Sequence, residues 1–100
     1  MQAKILIRRR FKRGNRDEIL ALLRQFRAAA LNQPGYISGE TLSASKDPQI
    51  NLVIGSWEDL TDWKKWKASS TRKTLEQMLE VYQEEPTEYQ EFVIGMADME

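Results

Sequence analysis

The chain has no cysteine and no histidine among its 100 residues. Without cysteine there is no disulfide framework, no thiol nucleophile and no cysteine-ligated metal. Without imidazole there is no Ser-His-Asp or Cys-His arrangement, no usual zinc site and no proximal haem ligand. This argues against most hydrolases, and any acid–base step falls to Asp, Glu, Lys, Tyr, Arg or the substrate itself. Long hydrophobic runs are also lacking. The stretch Ala28 to Leu31 is among the longest, far short of the roughly 20 residues needed to span a bilayer. No charged-then-apolar leader is evident, so the cytoplasm is the expected compartment. Metal and cofactor are both expected to be absent.

Net charge is zero, but it is unevenly spread. Residues 1–50 carry ten Lys/Arg against four Asp/Glu, and residues 51–100 carry five against eleven. Opposed halves tend to satisfy one another, within a subunit or across a dimer. The length suits one domain with a single core.

Periodicity orders the elements. In "AKILIRRRFKRG", Ala3, Ile5 and Ile7 alternate with Lys4, Leu6 and Arg8, which predicts a strand from Ala3 to Phe11, stopped by Gly14. Asn15 and Glu18 have capping-box spacing. Behind them Ile19, Leu22, Leu23, Phe26 and Ala30 make one helical stripe, ended by Asn32 to Gly35. "YISGETLSA" reads as a second strand, with Gly39 as a candidate bulge. "SKDPQ" reads as a turn and "INLVIGSW" as a third strand, the two strands forming a hairpin. Asp59 then caps "LTDWKKWKA", with Leu60, Trp63 and Lys67 on one side. Ser69 and Ser70 interrupt this helix and cap another, whose stripe is Leu75, Met78, Leu79 and Tyr82. "TEYQEFVIG" is the last strand.

The order β-α-β-β-α-β has one common solution, the ferredoxin-like α+β fold. Right-handed crossovers place both helices on one face of a four-stranded antiparallel sheet ordered β4-β1-β3-β2. Apolar residues on both faces of the strands (Ile7, Ile37, Val53, Phe92, Ile94) call for a second cover over the other face. A homodimer through the sheet faces is the simplest one.

With "PGYISGE" entering β2, then "VIGSWEDLTDWKKWKASSTRKTLEQMLE" and "PTEYQEFVIG", the chain resembles the antibiotic biosynthesis monooxygenase (ABM) family of dimeric α+β barrel proteins across about residues 3 to 95. The resemblance implies a single ABM-like domain over 1–100. It also implies binding of a small aromatic or quinol substrate, oxidised with dioxygen and no cofactor. A non-catalytic dimeric binding or accessory module is the alternative. The haem-degrading branch of the family uses an Asn, a Trp and a His. Here Ile7 stands for the Asn, Trp66 matches the Trp and Glu76 stands for the His, so that activity is not expected.

Trp57, Trp63 and Trp66 lie within ten residues. Trp57 reads as a plug under the following helix. Trp63 and Trp66 suit either core packing or a pocket wall, with Ile7 as a further wall residue. Arg72, a cation at a helix start where the dipole prefers acids, suits an anion contact or a structural bridge. Glu76, four residues on, is its i,i+4 partner or a base. Tyr36, Tyr82 and Tyr89 are not distinguished. The cluster Arg8, Arg9, Arg10, Lys12, Arg13 and Arg16 is divided by alternation, with Arg9 on the face opposite Arg8 and Arg10. Cross-strand pairs with Glu88 and Glu91 account for it better than nucleic acid, and neither nucleic acid nor membrane is an expected partner.

Overall fold

Residues 1–99 are described by a computed structural model. Strand β1 (Ala3–Arg10) is followed by α1 (Arg16–Ala30), β2 (Tyr36–Ala44), β3 (Asp47–Trp57), α2 (Leu60–Ala68), α3 (Ser70–Glu80) and β4 (Glu88–Val93). The sheet runs β2-β3-β1-β4, every neighbour antiparallel. This is the expected ferredoxin-like α+β fold, with the second helix split in two.

Alternation along β1 fixes which face is covered. Ala3, Ile5, Ile7 and Arg9 are buried, while Lys4, Leu6, Arg8 and Arg10 face the other way. Two clusters fill the space between sheet and helices. One joins Ala3, Ile5 and Ile7 to Trp57, Trp63, Trp66 and Ala30. The other joins Phe11 to Ile19, Leu22 and Leu79. The helix stripes therefore meet the strands on one side only. The opposite side carries Leu6, Leu52, Ile54 and Leu42, with Phe92 half-exposed near its edge.

Several local expectations are corrected. Asn15 does occupy the N-cap of α1, but no side-chain hydrogen bond caps the helix. Its amide turns back to the Arg13 carbonyl at 3.5 Å, so the box with Glu18 does not form. Gly39 pairs regularly with Gly55, and the irregularity in β2 lies earlier, between Tyr36 and Ser38. The turn after β2 is only Ser45 and Lys46, because Asp47 already pairs with Ala44. Pro48 lies inside β3 opposite a register shift and beyond the end of the β1 ladder, where its missing N–H removes no ladder bond. The last ladder residue of β1 is Arg10, and Phe11 makes an isolated bridge to Gln83. In α3 the inward residues are Arg72, Leu75, Glu76 and Leu79, whereas Met78 is 47% exposed.

Two caps do form as the sequence indicates. Asp59 Oδ1 accepts from the Thr61 amide at 3.1 Å, and Ser69 Oγ accepts from the Arg72 amide at 3.2 Å. The second one starts a new helix immediately after α2 and turns Arg72 inward.

Candidate functional site

A cavity of about 70 Å³ lies between the inner face of the sheet and the helices. Its lining includes two residues without side chains. Gly39 and Gly55 oppose each other across β2 and β3 and both line it. Two adjacent positions on the covered face thus carry no β-carbon, and the Tyr36 hydroxyl and the Trp57 indole pack over them.

Four rings run in a row, of which Tyr36, Trp57 and Trp63 border the cavity. Tyr36 meets Trp57 edge-on at 5.2 Å between centroids, Trp57 lies 6.1 Å from Trp63, and Trp63 lies 6.0 Å from Tyr89. Trp66 borders the same space, as do Ile7 and Phe26. Trp63 and Trp66 are thus both core residues and wall residues. The Trp63 indole N–H donates to Glu91 Oε2 at 2.7 Å, so Glu91 serves the tryptophan and not the cross-strand ion pair expected of it.

Two guanidiniums are buried here. Arg9 is 2% exposed and Arg72 is 3% exposed. Arg9 donates from Nη2 to Glu76 Oε2 at 2.8 Å and packs over the Phe26 ring at 5.2 Å. Arg72 lies over three rings, those of Trp63, Tyr89 and Phe26, at 5.2, 5.3 and 5.4 Å. These faces supply the negative potential that the helix start does not. Its one side-chain hydrogen bond among the described residues goes from Nη1 to the Tyr89 hydroxyl at 3.0 Å.

The i,i+4 pairing of Arg72 with Glu76 is therefore not made. Glu76 turns to Arg9 instead and also accepts from Thr87 Oγ1 at 2.6 Å. Burial alone would raise the Glu76 carboxyl, but the Arg9 charge and the hydrogen bonds from Arg9 and Thr87 outweigh it and hold it below its usual value. Burial raises the Tyr89 phenol above 10, partly opposed by the Arg72 charge, so it is protonated at neutral pH.

Of the five residues singled out from sequence, Ile7, Trp63, Trp66 and Arg72 border the cavity, and Glu76 lies behind Arg9. Sequence reasoning missed Arg9, Phe26, Tyr89 and the glycine pair as parts of this region. For Arg9 a signal existed, since alternation already placed it on the face of Ile5 and Ile7. The charge count is uneven, with two buried guanidiniums against one buried carboxylate, and an anion entering the cavity would balance it. The outward arginines are ordinary by contrast. Arg8 reaches Glu85 at 3.2 Å and Glu88 at 3.8 Å, and Arg10 reaches Asp47 and Glu84. No group of three or more acidic side chains is gathered for a metal among the described residues. No helix there is long and apolar enough to cross a membrane.

A search among curated proteins finds no significant match. Solved structures do match. A conserved protein from Methanosarcina mazei superposes with a TM-score of 0.85 at 16% identity, covering 92% of this chain and 91% of that one. SnoaB, a cofactor-independent oxygenase from Streptomyces nogalater, gives 0.83 at 16% identity over 96% and 95%. Rv0793 from Mycobacterium tuberculosis gives 0.83 at 9% identity over 99% and 100%. At these identities the likeness is one of fold. The sequence itself matches the family model described as antibiotic biosynthesis monooxygenase over residues 3–93. Because that match runs from the first residue of β1 to the last of β4, the chain belongs to the antibiotic biosynthesis monooxygenase family.

Proposed function

We propose that this chain, acting as one domain over residues 1–100, is a cytoplasmic homodimeric monooxygenase-like protein that binds a small aromatic or quinol substrate as its anion and oxidises it with dioxygen, without a cofactor. The observation that carries this reading is Arg72, a buried cation set among three rings in a cavity with no carboxylate of its own. Arg72 is the contact for the substrate anion. Trp66, Trp63 and Ile7 are the walls that orient the ring and keep water out. Glu76 is a positioning residue, acting through Arg9. The family match and the fold shared with SnoaB support the same class of chemistry.

In this mechanism the substrate supplies the electrons. A phenol ionises more readily beside Arg72, and the anion is stabilised in a site of low dielectric. An electron-rich anion can pass an electron to dioxygen directly. For a phenol bearing an activated methylene, one oxygen atom replaces the two methylene hydrogens as a carbonyl. The other leaves with those hydrogens as water, so no external reductant is needed.

The test is a tryptophan-fluorescence titration with anthrones and hydroquinones, run on the natural chain and on Arg72→Met. A methionine fills the guanidinium's space without its charge, so the fold should survive. Saturable quenching in the natural chain, with at least tenfold weaker binding in Arg72→Met, is the expected result. Equal binding in both would remove Arg72 from the site. Oxygen uptake with a bound ligand separates an enzyme from the alternative, a non-catalytic binding module.

A further inference from the structure

Among the described residues, two buried side-chain polar atoms have no hydrogen-bond partner: Arg9 Nε, a donor, and Asn51 Oδ1, an acceptor. Buried polar groups are nearly always satisfied, and exceptions call for an explanation. These two are not scattered. Arg9 and Asn51 are cross-strand partners in the β1–β3 ladder, both on the covered face. Opposed residues of this kind have β-carbons about 5 Å apart. A donor and an acceptor are thus left open side by side.

Their surroundings are not closed core. Arg9 borders the aromatic cavity, and Asn51 borders a second cleft between the start of α1 and the β2–β3 hairpin. Leu23 and Thr41 border both spaces, so the two adjoin, with Arg9 on one side and its ladder partner Asn51 on the other. The ladder that carries Ala3 opposite Trp57 at one end carries this pair six residues further along β1, about 20 Å at the usual rise. Glu76 engages Arg9 through Nη2 only, which anchors the guanidinium and leaves Nε unused.

We propose that the Arg9–Asn51 pair is a polar subsite of the cleft that takes a ligand hydroxyl, whose oxygen accepts from Arg9 Nε and whose proton goes to Asn51 Oδ1. A carboxylate, ketone or ether satisfies Arg9 and leaves Asn51 open. An ammonium satisfies Asn51 and is repelled by Arg9. A hydroxyl accepts and donates at one atom and completes both, taking the place a bridging water would otherwise fill. The ligand class is therefore an aromatic compound with two oxygen substituents, an anionic one at Arg72 and a protonated hydroxyl toward Asn51. This rests on the cavity being the binding site, as proposed above, and adds the requirement for a second hydroxyl.

Isothermal titration calorimetry of the full chain with three probes tests it: 1,5-dihydroxynaphthalene, 5-methoxy-1-naphthol and 1-naphthol. The methoxy compound retains an acceptor and loses the donor. The expected result is binding of the dihydroxy compound at least fivefold tighter than the methoxy compound, beyond the twofold that its two equivalent hydroxyls give. In Asn51→Leu that ratio should fall to about the statistical twofold while the 1-naphthol affinity holds. Equal affinities for the two disubstituted probes in the natural chain would overturn the subsite, and that comparison needs no variant. A ratio that survives in Asn51→Leu would also overturn it, because the hydroxyl would then be held elsewhere. If no probe gives saturable heat, the cavity reading itself fails and the subsite with it.

Discussion

Glu76→Gln is the sharpest probe of how the cavity's charge is held. The Arg9 and Glu76 side chains are 2% and 11% exposed and meet at 2.8 Å. Removing one member of such a pair typically costs about 3–5 kcal/mol, most of it the penalty for the charge left behind. Glutamine keeps an oxygen that still accepts from Thr87 and Arg9, so the lower end, about 3 kcal/mol at pH 7, is the expected loss. That corresponds to roughly 12–24 °C in Tm for a chain of this size. The acid dependence carries the sign. The carboxyl is held below its ordinary value of 4.5. Its contribution is therefore complete above that pH and is lost as pH falls through the depressed value. Urea denaturation of both chains at pH 7 and pH 3 should show a gap of about 3 kcal/mol that narrows in acid. A gap below about 0.5 kcal/mol at pH 7, or one independent of pH, would refute the account of Arg9 as a charge that Glu76 balances.

Two further outcomes follow from other parts of the molecule. Ile54→Glu places a carboxylate in a central strand on the uncovered, partly apolar sheet face, and should convert a dimer to an 11.7 kDa monomer in sedimentation equilibrium; a natural chain that is itself monomeric would remove the homodimer from the proposal. Gly35→Ala should destabilise the chain by about 1–2 kcal/mol, because Gly35 has φ +83° and an added β-carbon would meet the Asp62 side chain; thermal denaturation unchanged from the natural chain would contradict this.

The fold was legible because each element announces its period. Ala3, Ile5 and Ile7 alternate, Ile19 to Ala30 recur at three and four, and the connections are short enough to leave one topology. What stayed hidden depended on pairs distant in sequence. Glu76 has Arg72 four residues away, and spacing alone favours that pair, yet its partner is Arg9, 67 residues away. Tyr89 could not be chosen over Tyr36 or Tyr82 until the fold placed it against Arg72. Pro48 looked like a turn residue because the register shift that accommodates it is visible only once β2 and β3 are paired. The cavity had no sequence signal of its own, since Gly39 and Gly55 are sixteen residues apart and matter only as opposed neighbours.

The opposed glycines have a consequence for what the protein can accommodate. A hollow between large side chains is negotiable, because rotamers can swing in to fill it when it is empty. A floor made of glycine backbone is not, since the glycines themselves have no rotamer to change. The floor of this cavity is part of the hydrogen-bonded ladder, so its depth is set by the strands themselves. The Tyr36 hydroxyl and the Trp57 indole are the atoms that a β-carbon at Gly39 or Gly55 would meet, so the two glycines let these aromatic side chains seat directly on the strands, at a depth the ladder fixes.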